Sequence, residues 1–412
     1  MSSYDAVVDA SGGGDYKSVA AAFADGKVNV FVRPGTYNET VDIVISNGGS
    51  LVGALRGLTI IDFGGNSASV VCNSGYEAVE SKGTIAVTSA SADVVGTSTT
   101  FTNLSPGDCI LIANNAYIIA TITDDSNLTL LNNYNGQTES SLSYRALTMQ
   151  AYNRIVNLTI RNSTTAGVAL SGCRRFRVEE LSIDTCSPNM VLNDCAEGFM
   201  RYIFSEFSDG VGINLNGVET TTLSSMYATS NVSHGLACVG KCANLLFHDV
   251  DCSSNGGNGI YVNADTFSNC NMTNCAFKHN VSNGVYVNSS ADMFVLNASN
   301  VDSNGDNGAL SLGSRGMMTS CVFRNNINTG LDTSGDDVLV GQCIGSDNYV
   351  GARVSGDRNI INGSSFTDSA LDCGQIMSGA LTTIVMACHW DGAANTTLND
   401  NGTQTFTTGS LP

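Results

Sequence analysis

Asn258-Gly-Ile-Tyr-Val-Asn263 and Asn283-Gly-Val-Tyr-Val-Asn288 are nearly identical hexapeptides that start 25 residues apart. Each contains a polar corner residue, a glycine and a short strand with alternating side chains. Weaker copies lie on both sides, and the aligned glycines are Gly212, Gly235, Gly259, Gly284, Gly308, Gly330 and Gly351. Successive glycines are 23, 24, 25, 24, 22 and 21 residues apart. The chain therefore repeats a unit of about 23 residues.

This period predicts a parallel β-helix. Leucine-rich repeats have a similar length, but their leucine consensus is missing, and a β-propeller repeat is nearly twice as long. Each unit holds two or three runs of three to five residues separated by Gly, Asn or Ser. Stacked units of this kind place their strands about 4.8 Å apart. Upstream copies at Gly167 and Asn189 extend the repeat, and we expect a rod of roughly 12–15 rungs.

Stacking brings equivalent residues of successive rungs into columns. The corner asparagines should form a ladder of amide hydrogen bonds. Cys275, Cys321 and Cys343 each lie eight or nine residues before an aligned glycine, so they should form a buried column of small thiols. Turns with positive φ would explain the 44 glycines and 43 asparagines.

Composition excludes several classes of protein. Only 13% of residues are charged and only 4 are Pro, whereas 42% are hydrophobic, which argues against both helical bundles and disorder. The net charge of −19 argues against phosphate-tracking nucleic-acid binding and against attraction to anionic lipid. We find no apolar run of 18 residues and expect no secretory signal, so we expect cytoplasmic synthesis with reduced thiols.

The first 72 residues differ from the repeats. Asp15 is predicted to cap a short helix with Val19 and Phe23 on one face. Strands are predicted at 28–37, 41–45 and 51–53, separated by glycine-containing turns.

Two segments here resemble a known family. They are Asp9-Ala-Ser-Gly-Gly-Gly-Asp-Tyr-Lys-Ser-Val-Ala-Ala-Ala-Phe23 and Val30-Phe-Val-Arg-Pro-Gly-Thr-Tyr-Asn-Glu39. Together they resemble the opening of pectin-lyase-like right-handed parallel β-helix proteins, which include pectin methylesterases and many phage tailspikes. The resemblance implies that the helix caps the open end of the first rung. It covers about 60 residues and is specific for fold rather than activity.

Residues 82–147 interrupt the rungs. Their alternating runs predict five or six short antiparallel strands with tight turns. The pattern resembles a small β-barrel module that recurs as an insertion in phage virion proteins. We therefore predict an all-β right-handed parallel β-helix with this plan: 1–81, N-terminal helical cap and first rungs; 82–147, inserted module; 148–390, main β-helix; 391–412, C-terminal cap or tail.

A column of outward side chains is the candidate site. Counting two residues on from each aligned glycine predicts the column Ala169, Val191, Asn214, Ala237, Tyr261, Tyr286, Leu310, Asp332, Arg353 and Asp372. Tyr261 and Tyr286 would bind sugar faces, and Asp332, Arg353 and Asp372 would be the catalytic set. The alternative interpretation is an exposed ladder of ion pairs beside a subunit interface.

The motifs of related enzymes are incomplete. Asp336-Asp337 resembles a polygalacturonase pair, but the accompanying motifs are absent or out of order, so an ordinary turn is the better interpretation. Trp390 follows Cys388 and His389, without the Arg-x-Trp of pectin methylesterases. Pectate lyase is a weak match. The four histidines show no zinc spacing, and we expect no cofactor, with Ca²⁺ at Asp302 and Asp306 left open.

The sequence thus predicts a virion appendage, a tailspike-like or fibre-like homotrimer that binds host surface polysaccharide. Cleavage of that polysaccharide, as a hydrolase or a lyase, is left open. Partners would be the host polysaccharide and other virion proteins, without nucleic acid or membrane insertion. The alternatives are a structural or decoration protein of a virion and a cellular polysaccharide lyase or esterase.

Overall fold

The computed structural model describes residues 4–72, 78–113, 115–147, 149–378, 380–393, 396–402 and 406–408. Apart from one α-helix, Val19–Ala24, and one 3₁₀ turn, Phe101–Asn103, the regular structure described is all β. Two sheets of stacked parallel strands form a rod, and a smaller antiparallel sheet lies beside it. Within the described ranges, no helix is long and apolar enough to cross a bilayer.

Sheet 1 is the larger face of the rod and has 23 strands. The rungs from Arg154–Ser163 to Leu246–Asp251 each contribute one strand to it, whereas two of the rungs before Arg154 and the rungs from Asn271 to Asp391 contribute two strands each. Its members are Ala6–Val8, Asn29–Val32, Gly35–Asn38, Ser50–Gly53, Thr59–Asn66, Arg154–Ser163, Arg177–Asp184, Phe199–Glu206, Thr222–Thr229, Leu246–Asp251, Asn271–Thr273, Ala276–Lys278, Val295–Asn297, Asn300–Asp302, Met317–Thr319, Val322–Arg324, Leu339–Gly341, Ile344–Ser346, Ile360–Asn362, Ser365–Thr367, Ile384–Met386, His389–Asp391 and Phe406–Thr408.

Sheet 2 is the second face, and its main path stacks one strand per rung. The strands on this path are Ile43–Ile45, Val70–Cys72, Val168–Ser171, Met190–Asn193, Ile213–Asn216, Leu236–Ala243, Ile260–Ser268, Val285–Val287, Ala309–Ser311, Thr329–Thr333, Val350–Val354, Asp372–Ile376 and Thr396–Asp400. A side strand, Ala291–Asp292, pairs with Ile260–Ser268, and Gln150–Ala151 pairs separately with Cys173–Arg174. The thirteen strands on this path agree with the predicted number of rungs.

The core lies between the two sheets and runs the length of the rod. One continuous cluster of buried side chains extends from Val8 to Trp390. Strand neighbours alternate inward and outward, so Ile260 and Val262 are buried while Tyr261 between them is partly exposed. Near the end of the rod, Phe366 and Trp390 stack with ring centroids 5.3 Å apart. The period-2 pattern of each short strand thus fills the interior.

The predicted asparagine ladder is present at the corner that leads from sheet 1 to sheet 2. After the first member, Asn231, each Oδ1 accepts hydrogen bonds from the backbone N–H and the Nδ2 of the asparagine one rung earlier, at 2.9–3.1 Å. The six members are Asn231, Asn255, Asn280, Asn304, Asn326 and Asn348. All are at most 2% exposed. A second, shorter ladder joins Asn258, Asn283 and Asn307.

The seven aligned glycines are not explained by positive-φ turns, the reason predicted for glycine in this chain. None of the seven lies at positive φ. They are required because a Cβ atom would collide with the asparagine ladder and with the backbone of the next rung: at Gly308 it would lie 2.4 Å from the Gly330 carbonyl oxygen. Positive φ occurs instead at many turn residues other than glycine, such as Asn274 and Asp347.

Replacing Gly308 by alanine should therefore lower the free energy of unfolding by about 1–3 kcal/mol, through overpacking against fixed backbone. Gly341 is the matched control because it is buried, yet an added Cβ would have no atom within 3.4 Å, and Gly341→Ala should be neutral. Thermal unfolding followed by circular dichroism compares the two variants. Equal melting temperatures would contradict a steric origin for the glycine column.

The fourteen cysteines are all buried and unpaired. Successive rungs place Cys252, Cys275, Ser299, Cys321 and Cys343 in one column, with the Ser299 hydroxyl accepting from the Cys275 backbone N–H at 3.1 Å. Burial raises the pKa of the Cys275 thiol to about 12. The predicted column of packing thiols is confirmed, with a serine inserted in it.

The N-terminal helix is shorter than a cap at Asp15 would require. Ser18, not Asp15, is its N-cap and accepts a hydrogen bond from the Ala21 N–H at 3.1 Å. Asp15 instead accepts from the Val7 N–H, 2.8 Å away, and so stabilises the first strand. Val19 and Phe23 are buried as predicted, and the Glu39 carboxylate accepts from the Val19 N–H.

The inserted segment contains more strands than predicted. Sheet 3 is antiparallel, and its eight strands are Ala78–Glu80, Thr84–Val87, Asp93–Thr97, Cys109–Ile112, Asn115–Asp124, Asn127–Leu130, Glu139–Leu142 and Tyr144–Leu147. It has its own core around Phe101, Ile110 and Tyr134. Val70–Cys72 pairs directly with Val168–Leu170, so the rungs before and after the insertion are stacked neighbours.

Candidate functional site

The predicted outward column exists on sheet 2, with one correction. Its register runs through Tyr261, Tyr286, Leu310, Asp332 and Arg353 on successive rungs. The next member is Gln375, not Asp372, because Arg353 pairs with Gln375 while Asp372 lies opposite Val350. The predicted place of Asp372 in the column was wrong because a cysteine, Cys373, replaces the aligned glycine in that rung, and its catalytic role stays a prediction.

The part of the column from Tyr261 to Gln375 has two halves, and the first half is aromatic. Tyr261 and Tyr286 stack with ring centroids 5.2 Å apart and 25° between their planes. His234 stacks on the other face of Tyr261 at 4.3 Å. The His234 Nδ1 accepts from the Asn258 backbone N–H at 3.0 Å, which orients the ring, and burial lowers the pKa of this histidine. A neutral imidazole and two phenols thus form a continuous aromatic surface of three rings.

The second half is a chain of polar side chains. Arg353 Nη1 lies 3.2 Å from the Asp332 carboxylate, and Arg353 Nε donates to Gln375 Oε1 at 3.1 Å. Gln375 Nε2 donates in turn to Asp372 at 2.7 Å. Although Asp372 is outside the column, this bridge joins all three residues of the predicted catalytic set. Asp332 is 9% exposed and Asp372 is 3% exposed.

The surroundings of Asp332 raise the pKa of its carboxyl group. Burial raises the pKa of the Asp332 carboxyl, and the neighbouring Arg353 guanidinium offsets only part of that effect. A carboxyl group that holds its proton above the usual range can donate it to a leaving oxygen. The register places Asp332 two rungs from Tyr286, which is about 10 Å along the rod. One extended ligand could therefore contact both halves of the column.

Two other predicted features behave as ordinary structure. Asp337 lies at a positive-φ turn, and Arg358 pairs with both of its carboxylate oxygens at 2.7 Å, which lowers the pKa of Asp337. Asp302 and Asp306 accept hydrogen bonds from Asn325 and Asn328. Among the described residues, no group of three His, Cys, Asp or Glu side chains could hold a metal ion. Calcium at these corners stays a prediction.

Comparison with known proteins identifies the fold. Residues 146–319 match the family model of the right-handed β-helix region. The rod is a right-handed β-helix. Among the curated proteins, none matches the chain significantly. The β-helix and the resemblance predicted from residues 9–39 are thus confirmed at the level of fold.

Solved structures similar to this β-helix include two phage tailspikes and one polysaccharide epimerase. The tailspike gp49 from Pseudomonas phage LKA1 has a TM-score of 0.59 at 12% identity, covering 91% of this chain and 73% of gp49. The Gp54 tailspike of Acinetobacter baumannii bacteriophage AP22, solved with A. baumannii capsular saccharide, has a TM-score of 0.58 at 11% identity, covering 93% of this chain and 74% of Gp54. The A-module of the Azotobacter vinelandii mannuronan C-5 epimerase AlgE4 has a TM-score of 0.53 at 14% identity, covering 95% of this chain and 91% of the A-module. At these identities the likeness shows the fold alone.

Sequence reasoning missed two members of this site. Gln375 was missed because the aligned glycine, the marker of register, is absent from its rung. His234 was missed as well, although its place directly before Gly235 was a signal that it flanks the column.

Proposed function

We propose that this chain is a tailspike-like virion appendage that binds host surface polysaccharide along the outward column. The observation that carries the proposal is the continuous surface on one face of the rod, from the stacked His234, Tyr261 and Tyr286 to the linked Asp332 and Arg353. Flat aromatic faces suit the apolar face of sugar rings, and charged groups a few rungs away suit their polar substituents.

The fold comparison supports the same class of ligand. One similar structure is a tailspike in complex with capsular saccharide, and another is a mannuronan epimerase. Asp332 would act as proton donor in any cleavage, with Arg353 holding the charge that develops and Asp372 positioned through Gln375. A polysaccharide-modifying enzyme is the second candidate function, favoured by the buried Asp332, whose pKa is raised by its burial.

Further parts of the proposal concern assembly. The helix Val19–Ala24 would cap the open end of the first rung, since it contacts the strands Asn29–Val32 and Ile43–Ile45. We keep the predicted division of the chain into segments 1–81, 82–147, 148–390 and 391–412, with one change. The inserted module would begin at Ala78, where sheet 3 begins. Of the tail, residues 394–395, 403–405 and 409–412 lie outside the described residues. A homotrimer attached to other virion proteins completes the proposal, and light scattering should give three times the chain mass.

Alanine at Tyr261 or Tyr286 should weaken polysaccharide binding about tenfold each, since a lost aromatic stacking contact costs about 1–1.5 kcal/mol. Tyr202 is the matched control because it is an exposed tyrosine on sheet 1, 39% accessible. Calorimetric titration with capsular and lipopolysaccharide-derived glycans measures the affinities. Binding that is equal in all three variants would remove the column as the site, and binding to none of the glycans would favour a decoration protein.

A further inference from the structure

A cleft separates the inserted module from the rod. Its volume is about 660 Å³. The module side contributes Tyr117, Asn133 and Arg145, and the rod side contributes Asn216, Glu219 and Asp265. Clefts that bind small organic ligands commonly have volumes of about 300–1,000 Å³. The cleft thus has room for several sugar residues.

Direct contacts hold the two walls together. Arg174 is 7% exposed, and its Nη1 donates to the Gly107 carbonyl oxygen of the module at 3.3 Å. Lys241 Nζ lies 3.5 Å from the Ala113 carbonyl oxygen. On the module side, Cys109 packs in a small apolar cluster with Leu147 and Met149. The two hydrogen bonds fix the module against the rod beside the cleft.

The rod wall consists of groups from successive rungs. Asn193 pairs with Asn216, and Ala196 pairs with Glu219, which puts Asp194 and Glu219 on adjacent rungs. Asp265 lies two rungs beyond Glu219, at a register shift where one extra residue enters the strand Ile260–Ser268. Such bulges redirect side chains and are common beside functional sites. The wall thus presents polar groups over about 14 Å, at the rung spacing of about 4.8 Å.

The charges of the lining groups define a class of ligand. Four carboxyl groups, Asp194, Glu197, Glu219 and Asp265, face two cations, Arg145 and Lys241. Burial, together with the charge of Asp194, raises the pKa of Glu219, and Lys241 offsets part of this. Such a surface repels polyanions. Carboxylates, side-chain amides and an aromatic ring supply the acceptors, donors and flat surface that hydroxyl and amino groups of sugars require.

We propose that this cleft is a second saccharide site, which binds a short oligosaccharide of uncharged or amino sugars. The residues differ from those of the outward column, so the inference does not depend on the function proposed for that column. Its two walls come from the module and the rod, which assigns the module a role in ligand binding.

Isothermal titration of the full chain with three oligosaccharides of four to six residues tests the inference: a cello-oligosaccharide, a chitosan oligosaccharide and an oligogalacturonate. We expect the first or second to bind and the third to bind at least tenfold more weakly. Asp265→Ala and Asn133→Trp, both at exposed positions on opposite walls, should each weaken binding at least tenfold. Asp93→Ala is the matched control, an exposed aspartate of sheet 3 that does not line the cleft, and it should bind as the wild type does.

Several results would overturn the inference. These are the absence of binding by both non-anionic oligosaccharides, binding of the oligogalacturonate alone, or affinity unchanged by both cleft variants. Tyr261→Ala separates the two sites: loss of affinity in this variant alone would place the ligand on the column and reject the cleft. Loss in the cleft variants alone would support the cleft, whatever becomes of the column.

Discussion

An Asn280→Ala variant should lose about 3–5 kcal/mol of unfolding free energy, because several buried polar groups lose their partners together. Asn280 Oδ1 accepts from the backbone N–H and the Nδ2 of Asn255, at 3.0 and 3.1 Å. Its own Nδ2 donates to Asn304 Oδ1 at 3.0 Å. Alanine would leave the Asn255 backbone N–H without an acceptor, and Asn255 Nδ2 with the Ala228 carbonyl oxygen alone, at a site that is only 2% exposed.

The matched control is Asn263→Ala, since Asn263 is exposed on the strand Ile260–Ser268 and should tolerate the change within about 0.5 kcal/mol. Midpoints of guanidinium unfolding, read by fluorescence and circular dichroism, compare the variants. If Asn280→Ala unfolded at the midpoint of the control, the ladder would contribute little and water would be replacing the lost amide.

An Arg353→Met variant should lose about 2–4 kcal/mol at pH 7 and should abolish any polysaccharide cleavage. Removing one partner of a buried ion pair leaves the other charge without compensation. The Asp332 side chain is 12% exposed and Arg353 Nη1 lies 3.2 Å from it. Glycan breakdown followed by reducing-end release or absorbance of unsaturated products measures activity, with Asp332→Asn as the companion variant. Cleavage that survived both substitutions would remove these residues from the active site.

The loss of unfolding free energy in Arg353→Met should depend on pH. The pKa of Asp332 is already raised in the folded protein, so ionising this carboxyl costs folding free energy as the pH rises above its ordinary value of 3.8. Loss of Arg353 raises the pKa further. The variant should therefore be nearly as stable as the wild type below pH 4 and progressively less stable toward pH 7. Arg324→Met, at an exposed arginine of sheet 1, should show no such trend.

The sequence predicted most of the rod because stacking makes the register repeat. Once the glycines were aligned, the column from Tyr261 to Arg353, the corner ladder and the cysteine column followed from spacing alone. The prediction failed in the rung where Cys373 replaces the aligned glycine, because the register could not be read there. The column residue of that rung is Gln375. Positive φ accounts for fourteen described glycines but not for the seven aligned ones, since the close approach of neighbouring rungs is a property of the folded stack and not of one turn.

Features built by distant segments could not be predicted in this way. The cleft joins Tyr117 of the module to Glu219 of the rod, and no local pattern connects two residues so far apart in the chain. Short strands such as Glu139–Leu142 lack clear alternation, so the antiparallel sheet was undercounted. The helix cap was misplaced because Asp15 and Ser18 are both good capping residues, and the tertiary partner Glu39 favours the second.

The direct pairing of Val70–Cys72 with Val168–Leu170 has an evolutionary consequence. The chain leaves the stack after one rung and re-enters at the next, with the backbone hydrogen bonds of the rod continuous across the junction. Recombination at this point could therefore exchange one inserted module for another without disturbing the register of the rungs on either side. A lineage of such proteins could acquire a new ligand preference in one genetic step while inheriting an intact scaffold.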